Sequence, residues 1–160
     1  MQALRFLMLL SLVVWIGAII FFAAVLAPTV FAVLPTRQLA GQVVSRSLGI
    51  MHWMGIASGV VFLICSIGYS CLNVGTAQIF NARNGLVMIM LVLTLISIFV
   101  VSNKMLSIRN DIGVIDDVPQ NDARRVHFNE LHRWSTRLEG GVLAMGLAVL
   151  YLTTKAISAP

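Results

Sequence analysis

No charged residue interrupts the chain between Phe6 and Leu34. A helix crossing the hydrocarbon core of a bilayer needs about 20 apolar residues, each rising about 1.5 Å. This run alone therefore commits the start of the chain to a membrane. It is far longer than the apolar core of a signal peptide, about 7–15 residues, and no small-x-small cleavage site follows it. A retained first transmembrane helix is expected.

The rest of the chain repeats the pattern. Four spans are expected, approximately 4–33, 48–72, 84–103 and 135–154, within a single transmembrane domain covering 1–160. Pro28 is expected to kink or end the membrane part of the first. The third is an uncharged run from Asn84 to Asn103, bounded by Arg83 and Lys104. The composition agrees. Only 11% of the 160 residues are charged and 59% are hydrophobic, whereas a soluble domain is about 25% charged. The expected fold is an all-α, integral membrane four-helix bundle.

The net charge of +5 does not call for nucleic acid. The basic residues flank the spans, where they set topology and touch lipid head groups. Arg37, Arg46, Lys104, Arg109, Arg124, Arg125, Arg133 and Arg137 belong to one side. Arg5, Arg83 and Lys155 belong to the other. That bias predicts both long loops in the cytoplasm and both termini outside; the expected location is the bacterial inner membrane. Cys65 and Cys71 are six apart, about 120° around a helix, and cannot pair.

Asp116-Asp117-Val118-Pro119-Gln120-Asn121-Asp122 reads as a turn followed by a helix N-cap at Asn121 or Asp122. A cytoplasmic helical extension over approximately 121–134 is expected to run directly into the fourth span. Two stripes of small residues bear on packing. Gly55 and Gly59 form one, and Gly140, Ala144 and Ala148 form another. Either can close the bundle or join it to a second copy or a larger membrane complex.

The chemistry concentrates in the last helix. The uncharged run from Gly140 to Thr154 is too short to span a bilayer alone, so Glu139 is drawn into the membrane edge. An ionisable residue there marks a candidate site. With His132 as zero at 100° per residue, Ser135 falls at about −60°, Thr136 at about +40° and Glu139 at about −20°. One face carries a polar ladder. His52, early in the second span, and Asn103, at the end of the third, belong to the same membrane face. His132, Ser135, Glu139, His52 and Asn103 thus form the candidate polar site.

Three readings remain open. The cluster can be a structural hydrogen-bond knot pinning the fourth helix to the second. It can handle protons or a polar solute. It can bind a transition metal such as copper through His52, His132 and Glu139, methionine-rich surroundings favouring Cu(I). Methionine and tryptophan positions read more simply as packing and interface anchors. No nucleophile with its base, phosphate loop, zinc motif or dinucleotide fingerprint is present, which argues against a hydrolase and leans against an enzyme.

Trp15-Ile16-Gly17 with Phe21, then Ala27-Pro28-Thr29-Val30-Phe31 and Leu34-Pro35, resembles the first helix of the transmembrane protein 205-like family. Leu131-His132-x-x-Ser135-x-x-Leu138 is similar to that family's His-x-x-Ser motif. This chain departs from the pattern at Glu139, where the family has Asn. The resemblance implies an uncharacterised four-helix membrane protein, distantly similar to copper-resistance-D-like proteins and to the membrane-type protoporphyrinogen oxidase. By analogy it implies metal or haem-linked oxidoreductase chemistry. The leading expectation is a protein that binds or moves a small solute or metal ion. The alternative is a small subunit or assembly factor of a larger membrane complex.

Overall fold

The computed structural model describes residues 1–76, 79, 81–114 and 117–158. Among them it is helical with no strand, and four helical rods are long and apolar enough to cross a membrane: Gln2–Val33, Arg37–Asn73, Ala82–Ile112 and Ala123–Ala156. The expected architecture is therefore present, but the rods extend beyond the expected spans. The second begins near Arg37 rather than residue 48, and the third continues to Ile112. Arg37, Arg46, Lys104 and Arg109 consequently sit on helices, not in loops.

The first rod comprises α1 (Gln2–Phe21), a π-helical segment (Phe22–Leu26) and α2 (Ala27–Val33). The irregularity has a local cause. Pro28 lacks an N–H, and its ring would press on the carbonyl of Ala24 in a regular helix. The ladder widens just ahead of it, with the Ala27 N–H donating to Phe22 O. Pro28 deforms the rod and does not end it. Pro35 ends it: Leu34, the residue before that proline, is extended at φ −78°, ψ 140°.

The second rod is α3 (Arg37–Val74), with the Thr36 side chain accepting from the Leu39 N–H at its start. Gly75 ends it with a left-handed φ of 73°. The third rod starts at α4 (Ala82–Ile96), where the Asn81 side chain accepts from the Asn84 N–H. It passes through a second π-helical segment (Ser97–Ser102) into α5 (Asn103–Ile112). The last rod is the unbroken α6 (Ala123–Ser158). Asp122 caps it: Oδ1 accepts from the Arg124 N–H at 2.8 Å. Of the expected turn ahead of it, Asp116 lies outside the described residues.

Neighbouring rods form a ring. α1 packs on α3, α3 on α4, α4 on α6 and α6 back on α1. Met8, Leu12, Trp15, Ile16 and Ile19 give α1 one buried stripe at helical spacing. Phe62 and Cys65 of α3, Met90 of α4 and Val142 of α6 meet it. Gly55 and Gly59 lie against Trp15: a Cβ at Gly55 would stand 2.8 Å from Trp15 Cε2, and one at Gly59 2.7 Å from Leu91 Cδ2. This stripe closes the bundle from within, so it is not a free face for a second chain. The stripe of Gly140, Ala144 and Ala148 is exposed, as are Phe6, Ile64 and Phe99. Such apolar surfaces fit a lipid bilayer, and Gly140 also borders an internal cavity.

Candidate functional site

The bundle carries its polar groups in two places. At the end near the termini, the Arg5 Nε donates to the Tyr69 hydroxyl at 3.1 Å and its guanidinium lies 5.1 Å over the ring. Asn73 donates to the same hydroxyl at 3.0 Å. Deeper in, the Ser66 hydroxyl donates to Asn84 Oδ1 at 2.8 Å, and Asn84 Nδ2 donates to Ile79 O at 3.1 Å. These groups pair with one another, whereas Thr153 Oγ1, buried at the same end, has no hydrogen-bond partner among the described residues.

At the opposite end, where α2 meets α3 and α5 meets α6, the arrangement differs. Glu139 of α6 accepts at Oε1 from His52 Nε2 of α3 at 2.6 Å. The Ser97 hydroxyl of α4 donates to the same oxygen at a longer 3.4 Å. His52 and Ser97 are buried, with 2% and 0% of their surface exposed, whereas Glu139 keeps 15%. The carboxylate is thus gripped from behind through one oxygen. Among the described residues, Oε2 has no hydrogen-bond partner.

What Glu139 faces is a cavity of about 420 Å³. All four rods contribute to its wall. The wall is mostly apolar, with Ile19, Phe22, Leu48, Met51 and Leu143, and it includes Ser135 and His132 beside Glu139. Such a volume, apolar with a few convergent polar groups, is typical of a small-molecule site. A smaller cavity of about 240 Å³ adjoins it and shares Phe31, Gly41, Arg109, Phe128 and His132 with it. Arg37 and Arg125 also line this outer cavity, and among the described residues no carboxylate does.

The structure separates the expected site residues. His52 and Glu139 are in direct contact. Ser135 is buried on the inner cavity wall. His132 is exposed at the boundary of the two cavities and does not reach the pair. Asn103 does not join them; it is exposed and donates to Phe99 O at 3.1 Å. Among the described residues, no three His, Cys, Asp or Glu side chains gather closely enough to hold a metal ion. The triad of His52, His132 and Glu139 is therefore not assembled.

Two contributors escaped the sequence reading. Ser97 sits where α4 gives way to the π-helical segment, in a run with neither proline nor glycine to announce the irregularity. Its spacing of three from buried Thr94 was the only signal. Arg109 is more than a topology charge: it lines both cavities and its guanidinium lies 5.7 Å over Phe128.

Outside the membrane, the Arg124 side chain donates to both oxygens of Asp122 at 3.1 and 3.0 Å. That interaction first, and the backbone cap second, lower the Asp122 carboxyl to about 2.

Residues 10–113 match a family described as a domain of unknown function, DUF4149. The chain belongs to the DUF4149 family. The match runs through α1 to α5 and includes His52, Ser97 and Arg109; Glu139, Ser135 and His132 lie beyond it. The family match carries neither the transmembrane protein 205-like assignment nor the copper-resistance-D likeness. No curated protein and no solved structure matches this DUF4149 chain.

Proposed function

We propose that this membrane protein binds a small solute in the inner cavity, with Glu139 as its polar anchor. One observation carries the reading: Glu139 lines a mostly apolar cavity of about 420 Å³, is held by His52 and Ser97 through one oxygen, and has no partner for the other among the described residues. A structural knot has no need of an adjoining space. A solute hydroxyl, ammonium or other donor would complete the hydrogen bonding of the carboxylate. His52 and Ser97 are positioning residues, since they act on the solute through Glu139. Passage of the solute across the membrane is the natural extension, with the loop end as the point of entry.

The metal reading suits this geometry less well. A His52–Glu139 pair with a serine hydroxyl offers only two strong donors, and copper or zinc sites draw on more.

The test uses the intact protein in lipid nanodiscs, with native mass spectrometry for retained small molecules and separate assays for metal and haem. Wild type is expected to retain a stoichiometric small molecule. Leu143→Trp, which fills the cavity, is expected to lose it while keeping helicity. Equal retention by both proteins would contradict the reading. An empty cavity in wild type with a stoichiometric partner protein would support the small-subunit alternative in its place.

A further inference from the structure

We infer that the solute is an amphipathic anion, with a carboxylate or phosphate head in the outer cavity and an apolar body in the inner one. This deepens the solute-binding reading and rests on it. The two cavities are contiguous but chemically unlike. The outer one gathers Arg37, Arg109 and Arg125 with His132 around about 240 Å³, with no carboxylate in its wall among the described residues. Snorkelling arginines at a membrane edge normally spread outward to separate lipid head groups. These line one concave space instead, on three different helices.

The attachments of Arg109 leave capacity for an anion. Arg109 makes one long contact, from Nη1 to Gly41 O at 3.5 Å, and a flank contact with Phe128. A guanidinium has five N–H donors and pairs with carboxylate or phosphate oxygens in a two-point fork. Arg125 is anchored on the Val118 carbonyl, which fixes its direction. The site therefore supplies positive charge from oriented groups at the point where the wall turns from polar to apolar.

The inner cavity supplies the other half. Ile19, Phe22, Leu48 and Leu143 offer no hydrogen bonds, so they favour a hydrocarbon or ring system. A bare inorganic anion would leave this volume unused. A neutral lipid would leave the arginines without a counter-charge. An anionic head on an apolar body satisfies both halves, and Glu139 Oε2 at the far wall accepts a donor if the body carries one. An acyl anion from the bilayer and an amphipathic organic acid from the aqueous side share this chemistry.

Binding of cis-parinaric acid, followed by energy transfer from the protein's tryptophans in nanodiscs, tests the inference against its methyl ester and against inorganic phosphate. The acid is expected to bind saturably, above empty nanodiscs, and more tightly than the ester. Arg109→Gln is expected to weaken the acid about tenfold, as loss of a charge-assisted contact implies, with little effect on the ester. Arg37→Gln serves as a second variant if Arg109→Gln fails to fold. Displacement by octanoate added to the aqueous phase would identify a soluble source. Displacement only by raising the anionic phospholipid content would identify a bilayer source. Either outcome supports the class.

Equal binding of acid and ester, unaffected by either arginine variant but abolished by Leu143→Trp, would overturn the anionic head and leave the cavity reading intact. Displacement by inorganic phosphate alone at comparable concentration would overturn the apolar body. Absence of saturable binding, together with no small molecule retained by wild type, would overturn both the inference and the reading beneath it.

Discussion

The two ends of the bundle use similar residues to opposite effect. Near the termini, Ser66 and Asn84 sit against each other with Ile79 O, and Arg5, Tyr69 and Asn73 form a second closed group. At the loop end, His52, Ser97 and Glu139 leave one carboxylate oxygen without a partner among the described residues, on a residue that lines an open cavity. Burial of polar groups is costly in either place, and in lipid it is tolerated when partners are supplied. At the first end Ser66, Asn84, Arg5, Tyr69 and Asn73 meet that condition within the chain, while Thr153 Oγ1 is buried there without a hydrogen-bond partner among the described residues. The second meets it only in part, and the remainder is what a ligand would supply. Polarity in a membrane span therefore does not by itself mark a binding site; polarity beside unfilled volume does.

The comparison breaks first at Glu139. Stranding a buried hydrogen-bonding group costs about 1–3 kcal/mol, and more when it is a carboxylate; His52→Ala strands Glu139 in this way. In a double-mutant cycle read by thermal unfolding in nanodiscs, His52→Ala and Glu139→Gln are expected to couple by about 0.5–3 kcal/mol. His132→Ala with Glu139→Gln is expected to add without coupling, within about 0.5 kcal/mol. Strong coupling to His132 and none to His52 would show that the wrong histidine has been assigned to the carboxylate.

That assignment marks the limit of what the sequence could say. Hydropathy reveals four spans because only a helix satisfies its own backbone in lipid. The last helix's polar face, His132 to Glu139, is visible because a helix repeats every 3.6 residues. Which group on that face meets His52 depends on the relative depth of α3 and α6, and that depth is set by packing. Trp15 against Gly55 and Gly59 fixes α1 on α3, and Gly146 against Ile16 and Met90 fixes α6 on its neighbours. Neither contact is written in a periodicity. Ser97 was hidden by a π-helical segment with no proline, unlike the first such segment, where Pro28 supplied a visible cause.

At the closed end the expected effect is intermediate and of a different kind. Asn84→Ala strands the Ser66 hydroxyl and removes a contact to Ile79 O, at about 1–3 kcal/mol. It is expected to lower the unfolding temperature while leaving retained solute per folded molecule unchanged. Loss of solute in proportion greater than loss of fold would mean that the two ends communicate.

The smallest effect lies outside the membrane. The Asp122 carboxyl is lowered from its ordinary value of 3.8 to about 2 by Arg124 and the helix cap. A lowered carboxyl contributes stability above its unfolded-state value, and that contribution fades as pH falls through the folded one. Asp122→Asn is expected to flatten this part of the stability curve between about pH 4 and 2. An unchanged acid limb would show that Arg124 does not hold the carboxylate in solution.

The contrast between the ends is tested most directly by thiol reactivity. With Cys65 and Cys71 replaced by alanine and serine, single cysteines are introduced by Ser135→Cys and Ser66→Cys. Both serines are buried, at 6% and 1% exposure, but only Ser135 borders the cavity. In nanodiscs open to reagent from both faces, a small charged methanethiosulfonate is expected to modify the Ser135→Cys protein readily. The Ser66→Cys protein should react only on unfolding. Equal rates at the two positions, fast or slow, would contradict an open loop end and a closed terminal end.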